Sequence, residues 1–175
     1  PDCCNQISLS SAAADTNPVN PDEYVTCGDD GILRIWSYNK RTCLRRVNVE
    51  AASRAVRYSP DGTKLIVGLG GDPTQATKDG AFMVIQSDNM EILLEDRKAK
   101  LYITDIKYSP KHDFIAMASA DGKVYLHNSD NYSFEKMISI PSKPKSFALK
   151  VDFNHDGKYI RISTNDSEMF HVIIE

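Results

Sequence analysis

The sequence is poor in the features that mark membrane, secreted and catalytic chains. No apolar run reaches the roughly 18 residues that a membrane-spanning helix needs. The opening PDCCNQISLSSAAAD has neither a basic start nor an apolar stretch of the secretory kind. The chain opens on Pro1 instead of Met, so a longer parent is expected. Charge of one sign is also scarce. The 21 Lys and Arg stand against 24 Asp and Glu, a net charge of −3, which gives no chain-wide basic field for nucleic acid or anionic lipid. The four cysteines, Cys3, Cys4, Cys27 and Cys43, form no C-x-x-C pair and lie at no zinc spacing from a histidine. Adjacent Cys3 and Cys4 fit disulfide geometry poorly with each other. Reduced thiols in a cytosolic setting are the expectation, under which the sequons at Asn131 and Asn165 carry no glycan.

Catalytic signatures are missing in the same way. No G-x-S-x-G elbow occurs, so a Ser-His-Asp hydrolase lacks its nucleophile turn. His112, His127, His155 and His171 keep no fixed spacing to any Cys or carboxylate, as a metal site would require. Asp29-Asp30 reads as a hairpin turn, where carboxylates cap or solvate. GLGGD, at 68–72, has glycines that would let amides approach a phosphate, but the DPTQATKDG stretch that follows starts no helix. The sequence therefore predicts no enzyme, no cofactor and no metal.

What is present is alternation. LYITDIKYSPKHDFIAMASADGKVYLHN, at 101–128, switches between apolar and polar residues with two brief breaks, SPKH and ADG. A period of two puts alternate side chains on opposite faces of a strand. The nearly continuous apolar run Phe114 to Ala118 fits a strand covered on both faces. Asp121-Gly122 tolerates positive φ and suits a tight antiparallel turn.

The unit recurs. DGILRIW begins at Asp30, DGAFMVI at Asp79, DGKVYLH at Asp121 and DSEMFHV at Asp166. A second landmark keeps the register: SPDG at Ser59, SPKH at Ser109 and NHDG at Asn154. The second repeat carries eight extra residues, placed in GLGGDPTQATKDG, and the first stretches in ADTNPVNPDE, whose two prolines exclude a central strand. Strands are expected near 6–12, 23–28, 32–37, 42–48, 54–59, 64–69, 81–86 and 90–95. The series continues near 102–108, 113–119, 123–128, 133–139, 147–153, 158–164 and 168–174, with no helix. Units of this size with four strands each are blades of a β-propeller, in which neighbouring sheets cover each other's apolar faces. The expected blades are 5–49, 50–96, 97–140 and an incomplete 141–175, together part of a larger propeller.

TCGDDGILRIW and ASADGKVYLH resemble WD40 repeats, with Trp36 in the usual Trp position and Ile85, His127 and Val172 in its place elsewhere. Ser37 stands where Asp usually follows that Trp, and no Gly-His pair opens a repeat, so the familiar His-to-Asp relay is expected to be missing. LLEDRKAKLYITDIKYSPKHDFIAMASADGKVYLHN, followed by VDFNHDGKYIRISTND, is similar to the C-terminal propeller of the echinoderm microtubule-associated protein-like family. The resemblance implies a non-catalytic scaffold in a microtubule-associated assembly of cytoplasm, cytoskeleton or cilium. Its implied partners are tubulin and the remaining blades of the parent chain. The alternative is a WD40 adaptor outside the cytoskeleton, such as a ubiquitin-ligase receptor or a trafficking coat subunit.

In antiparallel blades the loops after strands two and four emerge at one end. That rim collects Lys78, Arg97, Lys98, Lys100, Lys143 and Lys145 against Asp72, Asp79 and Asp96, and an acidic protein surface is the expected partner. A solvated set of loops is the competing reading of the same charges.

Overall fold

The computed structural model describes residues 11–72, 76–111, 113–141 and 146–174. These form four consecutive antiparallel sheets, each built from neighbours in the chain. Sheet 1 contains β1 (Ser11–Thr16), β2 (Glu23–Gly28), β3 (Ile32–Ser37) and β4 (Thr42–Asn48). Sheet 2 contains β5 (Ser53–Tyr58), β6 (Lys64–Leu69), β7 (Ala81–Gln86) and β8 (Ile92–Arg97). Sheet 3 contains β9 (Ile103–Tyr108), β10 (Phe114–Ser119), β11 (Lys123–Asn128) and β12 (Phe134–Ser139). Sheet 4 has three strands, β13 (Ala148–Phe153), β14 (Tyr159–Thr164) and β15 (Met169–Ile173). Among the described residues the single helical element is a 3-10 turn over Ala76–Lys78.

The first strands of the sheets, β1, β5, β9 and β13, lie side by side, so the sheets fan from an inner line as blades of a partial propeller. Three apolar layers fill the gaps. Val25, Leu33 and Ile35 of sheet 1 meet Leu65, Val67 and Met83 of sheet 2. Ile66, Phe82 and Val84 from the other face of sheet 2 meet Ile106, Ile115 and Met117 of sheet 3. Ala116, Val124 and Leu126 meet Val151, Ile160 and Ile162 of sheet 4. This explains why β6, β7, β10 and β11 read as nearly unbroken apolar runs: a neighbour covers each face. The outermost strands β4, β8 and β12 are mostly exposed or half-buried.

The recurring turn has a common mechanism. The side-chain oxygen of Ser59 accepts the amide of Lys64 at 2.9 Å, Ser109 that of Phe114 at 3.2 Å, and Asn154 that of Tyr159 at 3.0 Å. A Ser or Asn at this place therefore caps the incoming second strand of sheets 2, 3 and 4 from five residues away.

Two expectations need correction. The first strand is β1 at Ser11–Thr16 and not 6–12, of which the part before Ser11 lies outside the described residues. Ala14, Asp15 and Thr16, assigned to a loop, pair with Thr26, Val25 and Tyr24. The stretch is confined to 17–22, where both prolines lie. There Asn17 holds the turn by accepting the amides of Val19 and Asn20. The last strand of sheet 2 starts at Ile92 and not at 90, because Met90 takes a left-handed φ of 61° and belongs to the turn.

Candidate protein-binding surface

The loops after second and fourth strands do meet on one rim. Lys100 donates its amide to Asp121 at 3.0 Å. Gly31 backs directly onto Ala51 and Gly80 onto Ala99, and Ser146 donates to Asp166 at 3.0 Å. At Gly80, φ is +78° and an added Cβ would lie 2.2 Å from the carbonyl oxygen of Ala99, so only glycine closes this corner without strain.

Of the six predicted rim cations, three are tied to their own corner. Lys78 pairs with Glu95 at 2.5 Å, Lys98 with Asp96 at 3.6 Å, and Arg97 donates to the carbonyl of Thr77 at 3.1 Å. Lys100 is fixed through its backbone only. Lys143 and Lys145 lie outside the described residues, as does His112. The pairs are open to water, with side-chain exposures of 29% and 40% for Lys78 and Glu95, so each contributes at most about 1 kcal/mol.

Sequence reasoning missed Arg54, the cation that joins the rim of three blades. It pairs with Asp29 of sheet 1 at 3.1 Å and donates to Gly71 of the sheet 2 loop at 3.2 Å. Its guanidinium also lies over the ring of Tyr102, 5.7 Å from the centroid, at the start of sheet 3. The available signal was a charged residue at the start of an expected strand, directly before the apolar Ala55 and Val56.

The glycines of the 68–72 loop serve the chain itself. The amide of Gly71 donates to Asp79 at 2.9 Å, which sets a carboxylate where a phosphate would have to sit. His127 is buried in an interblade layer, edge-on to Phe82 at 4.9 Å, and its Nδ1 lies 2.9 Å from the carbonyl of Tyr132. A carbonyl only accepts, so Nδ1 carries the proton. Burial lowers the His127 pKa below its ordinary value. Cys27 is likewise buried, with its thiol pushed up to about 11, chiefly by desolvation. Cys3 and Cys4 lie outside the described residues. Among the described residues no group of three or more His, Cys, Asp or Glu gathers to hold a metal.

Charged side chains also meet along the inner strands. Arg57 reaches Asp15 at 3.2 Å and Asp105 at 3.6 Å, and Lys150 reaches Asp105 at 3.5 Å. Asp105 also accepts the amide of Val151 at 3.2 Å, and Asp15 that of Tyr58 at 2.9 Å. Arg57 Nε donates to the Ile106 carbonyl at 2.9 Å. These bonds all cross from one blade to another, which makes the cluster a clamp between sheets.

Known proteins are similar to this chain in sequence. The ciliary WD repeat-containing protein ctxp80 of Euplotoides octocarinatus is 28% identical over 171 residues, covering 88% of this chain and 23% of that protein. The human echinoderm microtubule-associated protein-like 3 is 21% identical over 157 residues, covering 89% of this chain and 16% of its own length. The human echinoderm microtubule-associated protein-like 2 is 22% identical over 150 residues, covering 85% and 22%. The chain thus spans less than a quarter of the length of these relatives. Residues 12–175 match the family model of the echinoderm microtubule-associated protein second beta-propeller, and the chain belongs to that family.

Proposed function

We propose that this chain is a non-catalytic protein-binding scaffold within a microtubule-associated assembly, with tubulin as its partner and cytoplasmic microtubules or the ciliary axoneme as its place of work. Family membership over residues 12–175 carries the reading, and the ciliary relative supports the axonemal setting. Further blades of the same parent complete the propeller. The sheets hold the loops, and the rim of Lys78, Arg97, Lys98 and Lys100, to which the order of strands in the sequence adds Lys143 and Lys145, presents positive charge to an acidic protein surface. Because exposed ion pairs such as Lys78–Glu95 contribute little, the cations exchange them readily for carboxylates of a partner.

The test is co-sedimentation of the full parent protein with microtubules, before and after changing the six rim cations to Glu. The expected result is loss of pelleting in the variant, with binding of the unchanged protein weakening as salt is raised. Undiminished pelleting of the variant removes the rim from the proposal. Failure of the unchanged parent to pellet removes tubulin.

A further inference from the structure

The rim opposite the basic one is formed by the turns after the first and third strands of each sheet. Between sheets 1 and 2 it is closed. Met90 is 7% exposed and lies in the apolar layer with Tyr58, and an added Cβ at Gly62 would sit 2.5 Å from Oδ1 of Asn17, so the turns of the two sheets touch there.

The same place between sheets 2 and 3 is open. Tyr108 ends β9 as Tyr58 ends β5, and Tyr132 holds the turn position of Met90, with φ at 60° and 61° and amides donating to the carbonyls of Asn128 and Gln86 at 3.1 and 2.9 Å. Both Tyr108 and Tyr132 are only half-buried. With Pro60, Asp61, Lys64 and Asp130 they line a cleft of about 280 Å³. Each wall belongs to a sheet already packed on both faces, so the cleft is complete within this chain.

Several groups in the cleft lack partners. Tyr108 Oη is buried and makes no hydrogen bond. Among the described residues neither Lys64 nor the carboxylate of Asp130 forms an ion pair. The Lys64 ammonium lies instead over the Tyr132 ring, 5.5 Å from its centroid, so that ring face already accommodates a cation. Asp61 on the other wall is fixed by the Ser59 hydroxyl and the Thr63 amide.

Charge on this rim is mostly of one sign. The turn that carries Asp88 and Glu91 is bound to the turn of Asp61, its Ser87 amide and hydroxyl donating to Thr63 and Gly62 at 2.9 Å. In sheet 3 the Asp113 carbonyl accepts the Ser129 amide at 3.1 Å, which joins its turn to that of Asp130. Five carboxylates thus stand against the two lysines Lys64 and Lys111. A cationic partner is favoured here, as an acidic one is on the opposite rim.

We propose that this cleft receives an arginine side chain of a partner protein, its guanidinium replacing the Lys64 ammonium on the Tyr132 ring, pairing with Asp130 and Asp61 and donating to Tyr108 Oη. A planar guanidinium with several N–H groups can reach two carboxylates on opposite walls and stack on a ring at once, which a point-like ammonium cannot. Lys64 leaves without breaking an ion pair. The site stands apart from the tubulin reading, and it gives the scaffold a second protein-binding rim.

Ligand-observed NMR on the folded full-length parent tests this, with N-acetylarginine amide as the probe and its neutral isostere N-acetylcitrulline amide as the control. The arginine probe is expected to bind and the citrulline probe not to. Asp130→Asn, on an exposed turn, should weaken binding about fivefold, and Lys64→Ala, which clears the ring, should strengthen it about threefold. Tyr108→Phe should weaken binding without lowering the thermal midpoint, because the lost hydroxyl holds nothing in the fold. Absence of arginine binding, equal binding of citrulline, or an affinity unmoved by both Asp130→Asn and Lys64→Ala overturns the inference. Microtubule pelleting reads the opposite rim, so failure of the tubulin proposal leaves this result standing.

Discussion

Single residues in this molecule are constrained by what backs onto them. His127 is neutral and buried between Phe82 and Phe134, and its charged form has no place there. Its pKa is lowered in the folded chain, so the unfolded chain binds the extra proton first as pH falls below the ordinary 6.5. The stability associated with neutral His127 is therefore full above that value and declines as pH falls toward the folded pKa. Thermal unfolding of the wild-type chain is expected at a lower midpoint at pH 5 than at pH 7. His127→Phe should flatten this contribution, at a cost of about 1 kcal/mol at pH 7 for the orphaned Tyr132 carbonyl. Glycines divide by the same logic of neighbours. Gly80→Ala meets backbone at 2.2 Å with φ at +78°, whereas Gly157→Ala, with φ at +71°, meets its first atom at 3.7 Å. Urea denaturation should show a loss of about 3 kcal/mol or more for the first and about 1 kcal/mol for the second.

Strands and sheets are held by layers of apolar side chains and by polar stitches across their inner edges. Asp105 is 3% exposed, accepts the amide of Val151 and faces both Arg57 and Lys150. Asp105→Ala leaves the buried Val151 amide without its acceptor and takes one of two carboxylates from Arg57, which keeps Asp15, so a loss of about 2 kcal/mol is expected in denaturant titration. Restoring the pattern with Asn should recover part of that loss, since the amide oxygen can still accept from Val151. Phe82→Ala opens the middle layer of the molecule and should lower stability by about 3–5 kcal/mol by the same measurement. The elements themselves were largely legible in the sequence. Of the thirteen strands from β2 to β14, all but β8 were placed within one residue at each end, as at 23–28, 64–69 and 123–128. The first strand was not, because Ala13 and Ala14 have no marked strand preference and the prolines drew the loop too early.

Over the whole molecule, stability follows position in the row of sheets. Sheets 2 and 3 have neighbours on both faces, while in this chain sheets 1 and 4 have one each. Nearest-neighbour coupling of this kind predicts graded protection. Amide exchange of the 175-residue chain should be slowest in β6, β7, β10 and β11 and faster in β14 and β15. Uniform protection across all four sheets would contradict that picture. The candidate surface was legible only in part. Loop lengths and antiparallel order were enough to gather Lys78, Arg97, Lys98 and Lys100 on one rim. Which of them were already engaged, and that Arg54 joins the rim of three blades, depended on side chains far apart in the chain.

The sequence by itself determined that the chain is all-β, that its strands come in repeating units and that each unit turns at an acid-small pair, because periodicity and turn chemistry act over a few residues. The tertiary structure alone decided which face of each sheet is covered, where Asp15, Arg57 and Asp105 cross from blade to blade, and that Asp61, Asp130 and Tyr132 line an open cleft. The reason is physical: burial and ion pairing are set by distance in space, and the inner strands that meet here are some 40 to 50 residues apart in the chain.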